Sequence, residues 1–320
     1  MMLSAKPLVS RRELSFRLAF PRDRLESVAE RAGRYYRPFD REKKPGAKKW
    51  RHIDNPIEPL KWVQKRIGRG ILKSVDFPAE LTGGLSGRSL VDNARPHIGQ
   101  PTLVCLDLDS FFPHVNHDRV YDALRRHLGC SGEIANLLTK LTTFQKRLPQ
   151  GSPASTFLAN LVLIDIVEEL RAIARDRHLA LSCYIDDLTF SGIGAEEAIG
   201  DVVAVLKAHH LKISREKLSI AHEHEARSVT GIGVSRRLTK PRDKMLEARD
   251  FINSLAASET VSERDLARAR GIVAHVGQVN KSQAAYLARR LARLPPAGDD
   301  APQEVEKTKT RRCSSFLRPH

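Results

Sequence analysis

Short apolar runs alternate along this chain with longer stretches whose apolar residues recur every three or four positions. Leu103 to Phe112 and Leu181 to Phe190 are runs of the first kind, the second closed by Ser191-Gly192, and both predict buried strands. Asn116 to Leu128 sets Val120, Leu124 and Leu128 on one stripe, with Asn116 as N-cap and Gly129 as stop, and predicts a helix. Pro59 to Leu72 predicts an amphipathic helix with one basic face, and Ala195 to Ala208 another. Pro153 to about Arg175 predicts a long apolar helix, with Ser152 as its N-cap and Pro153 at its first position. An Arg-rich leading segment carries a helix start at Pro21. Within the basic text from Arg41 to Ile53, Pro45-Gly46 marks a turn between two short strands. Beyond Arg242 the text is helical again, first through Met245, Ala248, Phe251, Ile252 and Leu255, then over 267–276 and 284–294. The order of elements predicts an α+β fold: an antiparallel sheet with helices on one face, followed by a helical unit. From Pro295 a polar tail is expected to be disordered through His320.

The acids inside the two apolar runs change the picture. Asp186 and Asp187 interrupt the second run, and Asp107 and Asp109 lie toward the end of the first. A buried carboxylate must be paired or bind a metal. Strand alternation would send Asp186 and Asp187 to opposite faces, whereas a hairpin tip would let both reach one cation cluster; a turn that merely uses Asp-Asp is the plain alternative. Two strands that each bring Asp near their ends are what a two-metal phosphoryl-transfer site requires. Mg²⁺ suits such a site because it needs few carboxylates and accepts waters and phosphates. Between the runs, Gly151 allows close backbone approach before a helix start.

Charge then points to the partner. The chain has 320 residues, with 54 Lys plus Arg against 38 Asp plus Glu, a formal net charge of +16. Such an excess predicts a polyanionic partner bound in a salt-dependent way. No apolar run approaches the ~20 residues of a spanning helix, and no secretory leader is evident. The four cysteines, Cys105, Cys130, Cys183 and Cys313, have no CxxC spacing and read as reduced thiols.

In order along the chain stand Asp107-x-x-x-Phe111-Phe112, Leu148-Pro149-Gln150-Gly151-x-Pro153 and Tyr184-x-Asp186-Asp187, followed by Leu211 to Lys217. This series resembles the A, B, C and D motifs of reverse transcriptases. Asn93-Ala94-Arg95-Pro96-His97 and Val229-Thr230-Gly231 resemble the NAxxH and VTG signatures of the retron type. The resemblance covers roughly residues 35 to 290. It implies a right-hand polymerase fold, divided as an N-terminal helical extension (1–40), fingers and palm (41–240), a helical thumb (241–294) and a tail (295–320).

The resemblance also implies roles. Asp107, Asp186 and Asp187 would be catalytic, and these three with the carbonyl of Leu108 would hold two Mg²⁺ ions, Mn²⁺ being a possible substitute. Arg51, matching an R-x-I arginine of the fingers hairpin, Phe112 as the steric gate against a 2′-hydroxyl, Gln150, Gly151 and Lys217 would bind the nucleotide, Lys217 against pyrophosphate. Phe111, facing the other way in the strand, would belong to the core, and Asp109 would be an exposed acid. Asn93, His97, Val229, Thr230 and Gly231 would lie near RNA. The implied partners are deoxynucleotides, a cognate structured noncoding RNA and the DNA copied from it, and a separate effector protein in anti-phage defence, in the bacterial cytoplasm and away from membranes. A group II intron-like reverse transcriptase, disfavoured by the lack of an evident maturase or endonuclease region, and a polymerase-fold scaffold that restrains an effector are the alternatives. Three departures from the retron pattern stand out: Ile185 where Ala is usual, Thr82-Gly83-Gly84-Leu85 in place of His-Gly-Phe, and Ser214 in place of Asn. A β-branched residue at 185 suits a strand.

Overall fold

The computed structural model describes residues 7–43, 50–258 and 260–294, with two further pieces at 297–298 and 311–312. Two helices open it, α1 (Arg11–Leu18), whose N-cap Ser10 accepts from the Glu13 amide, and α2 (Arg22–Glu30), which starts after Pro21. An antiparallel hairpin follows, β1 (Tyr36–Glu42) and β2 (Trp50–Pro56), in register from Tyr36 opposite Pro56 to Glu42 opposite Trp50. Its expected Pro45-Gly46 turn lies outside the described residues. Helix α3 (Leu60–Gly70) buries Leu60, Val63 and Ile67, the stripe its spacing predicts. A short helix, α4 (Leu90–Ala94), is closed at its start by a capping box between Ser89 and Asp92.

The central sheet is built from β3 (Leu103–Asp107), β4 (Ala180–Tyr184), β5 (Asp187–Ser191) and β6 (Ser219–Ala221), in the order β4-β5-β3-β6 and antiparallel throughout. Between β3 and β4 run α5 (Phe111–His114), α6 (His117–Leu128), α7 (Gly132–Thr142) and α8 (Ser155–Asp176). Asn116 caps α6 by accepting from the Arg119 amide, and Gly129 ends it at φ +58°. Helix α9 (Ile199–Ala208) links β5 to β6. The main core joins β3, β4 and β5 to α6, α7, α8 and α9 through Val104, Leu106, Leu188, Phe190, Leu158, Leu161, Leu206 and their neighbours. The exposed edge of β4 is covered: Leu81 bridges in parallel to Cys183, the Cys183 amide donates to the Glu80 carbonyl, and the Thr82 amide donates to the Cys183 carbonyl.

A two-residue hairpin, β7 (Ser228–Val229) and β8 (Ile232–Gly233), leads to three helices. These are α10 (Arg242–Ala256), α11 (Glu263–Val279), which follows the short β9 (Val261–Ser262), and α12 (Lys281–Leu291). They share their own core around Ala248, Ile252, Ala269, Val276 and Leu287. Of the tail expected to be disordered, the structure describes β10 (Ala297–Gly298), parallel to β9, and β11 (Arg311–Arg312), antiparallel to β1; the rest lies outside the described residues. Cys105, Cys130 and Cys183 are free thiols, and Cys313 lies outside the described residues. Among the described residues no helix is long and apolar enough to cross a membrane.

Candidate active site

The two acid-bearing runs meet. Leu181 to Phe190 is not one strand but a hairpin in which Tyr184 pairs with Asp187, leaving Ile185 and Asp186 as the two-residue tip. Ile185 has φ +62°, the left-handed region in which a β-branched residue is strained. The expectation that Ile185 sits there as strand filler is therefore corrected: it occupies the first turn position, which in a two-residue hairpin of this kind usually falls to glycine. Next door, β3 ends at Asp107, whose register partner is Asp187. The Leu108 amide donates to the Asp186 carbonyl at 2.8 Å, and the Ser214 amide donates to the Asp107 carbonyl at 2.8 Å. Three carboxylates are thus gathered at one end of the sheet by ladder pairing alone.

Their electrostatics follow from that crowding. Burial, with the charge of Asp107 added, holds the Asp186 carboxyl above its ordinary range, while Lys217 and Arg51 act in the opposite direction. Burial first, and then the charges of Asp186 and Asp107, push the Asp187 carboxyl up to about 6. The Lys217 ammonium donates to both oxygens of Asp107, at 2.7 and 2.8 Å. That charge-assisted bond raises the Lys217 ammonium above its ordinary value. Among the described residues no three carboxylate, imidazole or thiolate groups converge closely enough to cage an ion by themselves. An all-protein cage is not what Mg²⁺ demands, since it completes its shell with water and phosphate oxygens. A half-neutralised cluster of three largely buried acids, with carboxyls raised by burial and mutual repulsion, is a donor set that fits hard divalent cations.

The cluster opens on a cleft of about 430 Å³ roofed by the β1–β2 hairpin and lined by Arg51, Asp107, Phe112, Gln150, Asp186 and Lys217, among others. Asp109 is exposed at its edge. Phe111 and Phe112 lie on the first turn of α5 rather than in a strand, because Ser110 turns the chain at φ +49°. Phe111 is buried, as expected, and Phe112 is half-buried and lines the cleft. The chain at 150–155 also differs from expectation. Helix α8 starts at Ser155, not Pro153, and Ser152 is not its N-cap. The Ser152 hydroxyl donates instead to the Gln64 side-chain oxygen at 2.9 Å, and that of Ser155 donates to the Pro149 carbonyl at 2.7 Å. Gly151, at φ +116°, is required by β2: a Cβ there would lie 2.9 Å from Ile53 Cγ2 and 3.3 Å from the Asp54 carbonyl oxygen. The Asp54 amide donates to the Gln150 carbonyl at 2.7 Å, which ties this loop to the hairpin above it.

Sequence reasoning missed a polar chain in the same cleft. His52 bridges Asp40 (Nδ1 to Oδ1, 2.8 Å) and Asp54 (Nε2 to Oδ1, 3.2 Å), and Arg147 approaches Asp54 Oδ2 at 3.7 Å. Asp54 is 2% exposed, and these ion-pair contacts are its neighbours rather than hydrogen bonds to its Oδ1. The available signal was the two-residue spacing of His52 and Asp54, which puts them on one face of β2.

The side chains of Asn93 and His97, expected to face RNA, are instead spent inside the protein. They are 0% and 1% exposed. Asn93 accepts from the Thr82 hydroxyl and donates to that of Thr230. The His97 ring nitrogens meet Ser191 and Ser182 Oγ at 2.6 and 2.8 Å, which joins β5 to β4. Val229 is buried, Thr230 half-buried and Gly231 exposed. Burial pulls the His97 imidazole down to about 4. Above pH 6.5 the ring is neutral in both folded and unfolded chains and costs nothing. As pH falls from 6.5 toward 4, only the unfolded chain takes the proton, so stability drops by an amount on the order of 3 kcal/mol. Urea unfolding at pH 7.5 and 4.5 should therefore show a smaller acid loss in His97→Gln than in the wild type; an equal loss would contradict a buried neutral ring.

Comparison with known proteins adds to this geometry. Residues 42–247 match the family described as reverse transcriptase (RNA-dependent DNA polymerase). The Retron Se72 reverse transcriptase of Salmonella heidelberg is 29% identical over 310 residues, covering 92% of this chain and 82% of its own length. The Retron Ec86 reverse transcriptase of Escherichia coli is 27% identical over 277 residues, 85% of each chain. The Retron Mx65 reverse transcriptase of Myxococcus xanthus is 31% identical over 278 residues, 80% of this chain and 64% of its own. Among solved structures, telomerase from Candida albicans with a fragment of telomeric RNA aligns over 84% of this chain and 60% of its own, at TM-score 0.47 and 10% identity, a distance at which it carries no functional argument. With the acid-bearing sheet opening on the cleft beneath the β1–β2 hairpin, the chain belongs to the reverse transcriptase family and is an RNA-directed DNA polymerase, similar to those of retrons.

Proposed function

We propose that this polymerase copies part of a cognate noncoding RNA into single-stranded DNA that stays linked to the RNA, by two-metal phosphoryl transfer at Asp107, Asp186 and Asp187. The observation that carries this reading is the meeting of Asp107 and the Asp186-Asp187 hairpin beneath a basic, nucleotide-sized cleft. Reverse transcriptases work with divalent metal ions. Here Asp107, the Leu108 carbonyl, Asp186 and Asp187 would hold two Mg²⁺, whose contribution is to stabilise charge on the attacking and leaving oxygens. The chain's own residues do the rest. Arg51 faces the triphosphate with a planar fork of donors. Phe112 fills the space a 2′-hydroxyl would need, and the Gln150-Gly151 backbone holds the base-pair edge of the cleft against β2. Lys217, already on Asp107, stands where it can neutralise or protonate departing pyrophosphate.

The chain divides, on this reading, into a helical extension (1–40), fingers and palm (41–240), thumb (241–294) and tail (295–320). Of Asn93, His97, Val229, Thr230 and Gly231, Thr230 and Gly231 are the two that are not buried, and they would approach the RNA. Deoxynucleotides, the noncoding RNA and a separate effector acting in anti-phage defence are the partners, and the bacterial cytoplasm the setting. The names of three relatives, each a retron reverse transcriptase, support the retron part of this reading. The test is the nucleic acid that copurifies from the native host. It should contain DNA that shifts in mobility on RNase treatment and retains a branched RNA linkage; RNA alone, or unlinked DNA, would overturn the RNA-linked product.

A further inference from the structure

The two retron-type signatures meet between the catalytic hairpin and the root of the thumb. Thr82 sits at the centre. Its amide donates to the Cys183 carbonyl at 2.8 Å. Its hydroxyl lies 3.1 Å from that same carbonyl and 2.8 Å from Asn93 Oδ1, a three-centre arrangement served by one proton. Cys183 is two residues before Ile185, the strained tip. On the far side, Asn93 Nδ2 donates to Thr230 Oγ1 at 3.3 Å. Thr230 and Gly231 form the tip of the β7–β8 hairpin, with φ +46° and +76°. A β-branched residue therefore stands in the left-handed region at each end of the chain of bonds, and such conformations persist only where their surroundings hold them. The β7–β8 hairpin is also packed on the thumb. Val229, Ile232 and Ala94 share a small core against which Leu238, in the palm-to-thumb connection, and Val279, at the end of α11, are packed.

We propose that Thr230, Asn93 and Thr82 act as a relay of positioning residues, which sets the catalytic hairpin through the Cys183 carbonyl according to how the β7–β8 turn and thumb root are seated. The buried signature residues then serve the geometry of Asp186 rather than contact RNA directly. A buried hydroxyl or amide that loses its partner leaves the other unsatisfied, and sub-ångström misplacement of a catalytic group is enough to cost rate. The relay rests on Asp186 being a working carboxylate of the site.

The test compares Thr82→Val, Thr82→Ser, Thr230→Val and the Thr82→Val/Thr230→Val double variant in the full chain, with Asp186→Asn alongside. Valine keeps the shape and β-branching and removes only the hydroxyl. Three readouts are needed: the single-turnover rate of deoxynucleotide addition at saturating primed RNA template, hydrogen exchange of the 181–187 amides, and RNA affinity. Thr82→Val should lose about tenfold in rate and exchange faster at 181–187, with RNA affinity within about twofold of wild type. Thr82→Ser should restore both. Thr230→Val, altered at a half-buried turn, should still speed exchange at 181–187, far away in sequence, with thermal melting of the same variant checking that it folds. The double variant should be no worse than Thr82→Val, the non-additivity expected of one network. Wild-type rate and exchange in Thr230→Val, additive losses in the double variant, or lost RNA affinity with an unchanged saturated rate would each overturn the relay. An Asp186→Asn enzyme as active as wild type would instead overturn the site on which the relay acts.

Discussion

Asp186→Asn is expected to lower deoxynucleotide incorporation on a primed RNA template by about a thousandfold or more, and at the same time to leave the metal-free protein as stable as wild type or more so. The two halves of this result come from one cause. Asp186 is held in a half-buried place beside Asp107 and Asp187, where burial and a like charge raise its carboxyl. An isosteric amide relieves that repulsion, and it also removes a charge that a divalent cation and the transferring phosphoryl group require. A merely structural acid would behave the other way, with its loss destabilising the fold and sparing the chemistry. Thermal melting without metal, RNA affinity and single-turnover incorporation on the same preparations separate these cases. Incorporation equal to wild type would remove Asp186 from the catalytic set.

Gly83→Ala is expected to be strongly damaging as well, although it adds only one methyl group. A Cβ on Gly83 would lie 2.5 Å from Ile185 Cγ1, 2.6 Å from the Ile185 nitrogen and 2.9 Å from the Tyr184 carbonyl carbon. Gly83 cannot retreat, since Asn160 on α8 donates to its carbonyl at 2.9 Å and Thr82 is bonded to Cys183. The hairpin tip must therefore move. Overpacking of this kind costs about 1–3 kcal/mol, and the displaced part is the turn that carries Asp186, so activity should fall by about a hundredfold. Ile185→Ala in the Gly83→Ala background should give little rescue, because two of the three close atoms are backbone. Gly200→Ala is the control: nothing lies within 4 Å of a Cβ there, in helix α9, and exchange for the better helix former should be neutral or mildly stabilising. Full rescue by Ile185→Ala would show that side-chain crowding alone, not the backbone approach, fixes the tip.

Much of this architecture was legible in the apolar pattern. The stripe of Val120, Leu124 and Leu128, framed by Asn116 and Gly129, is a local signal, and the helix begins and ends where it says. The sheet strands were visible because β3 and β5 are largely buried on both faces and read as continuous apolar text. What stayed hidden depended on partners distant in sequence. Gly151 reads as freedom to approach a ligand, yet its lack of a side chain is demanded by Ile53 and Asp54, far earlier in the chain. Asn93 and His97 read as polar groups awaiting a partner because Thr82, Ser182, Ser191 and Thr230, which satisfy them, are joined to them only by the fold. Ser110 and Ile185 take left-handed backbone that neither residue type advertises, so the first acid run ends in a helical turn and the second in a tip. Motif order located the acids, but ladder register brought Asp107 opposite Asp187.

The grip of Lys217 on both oxygens of Asp107 has a consequence for the resting enzyme. An ammonium on a flexible stem is a tethered counterion, present at fixed high local concentration and removable without breaking a strand. On the two-metal reading, any cation that takes Asp107 would first displace it, so loading the site would be an exchange of one positive charge for another. Such an exchange would favour divalent over monovalent ions and would discourage occupancy when no nucleotide supplies further oxygens. A lysine let go in this way would stay close to where the proposed triphosphate binds, with its proton available. Readiness would then be a matter of competition for a single carboxylate.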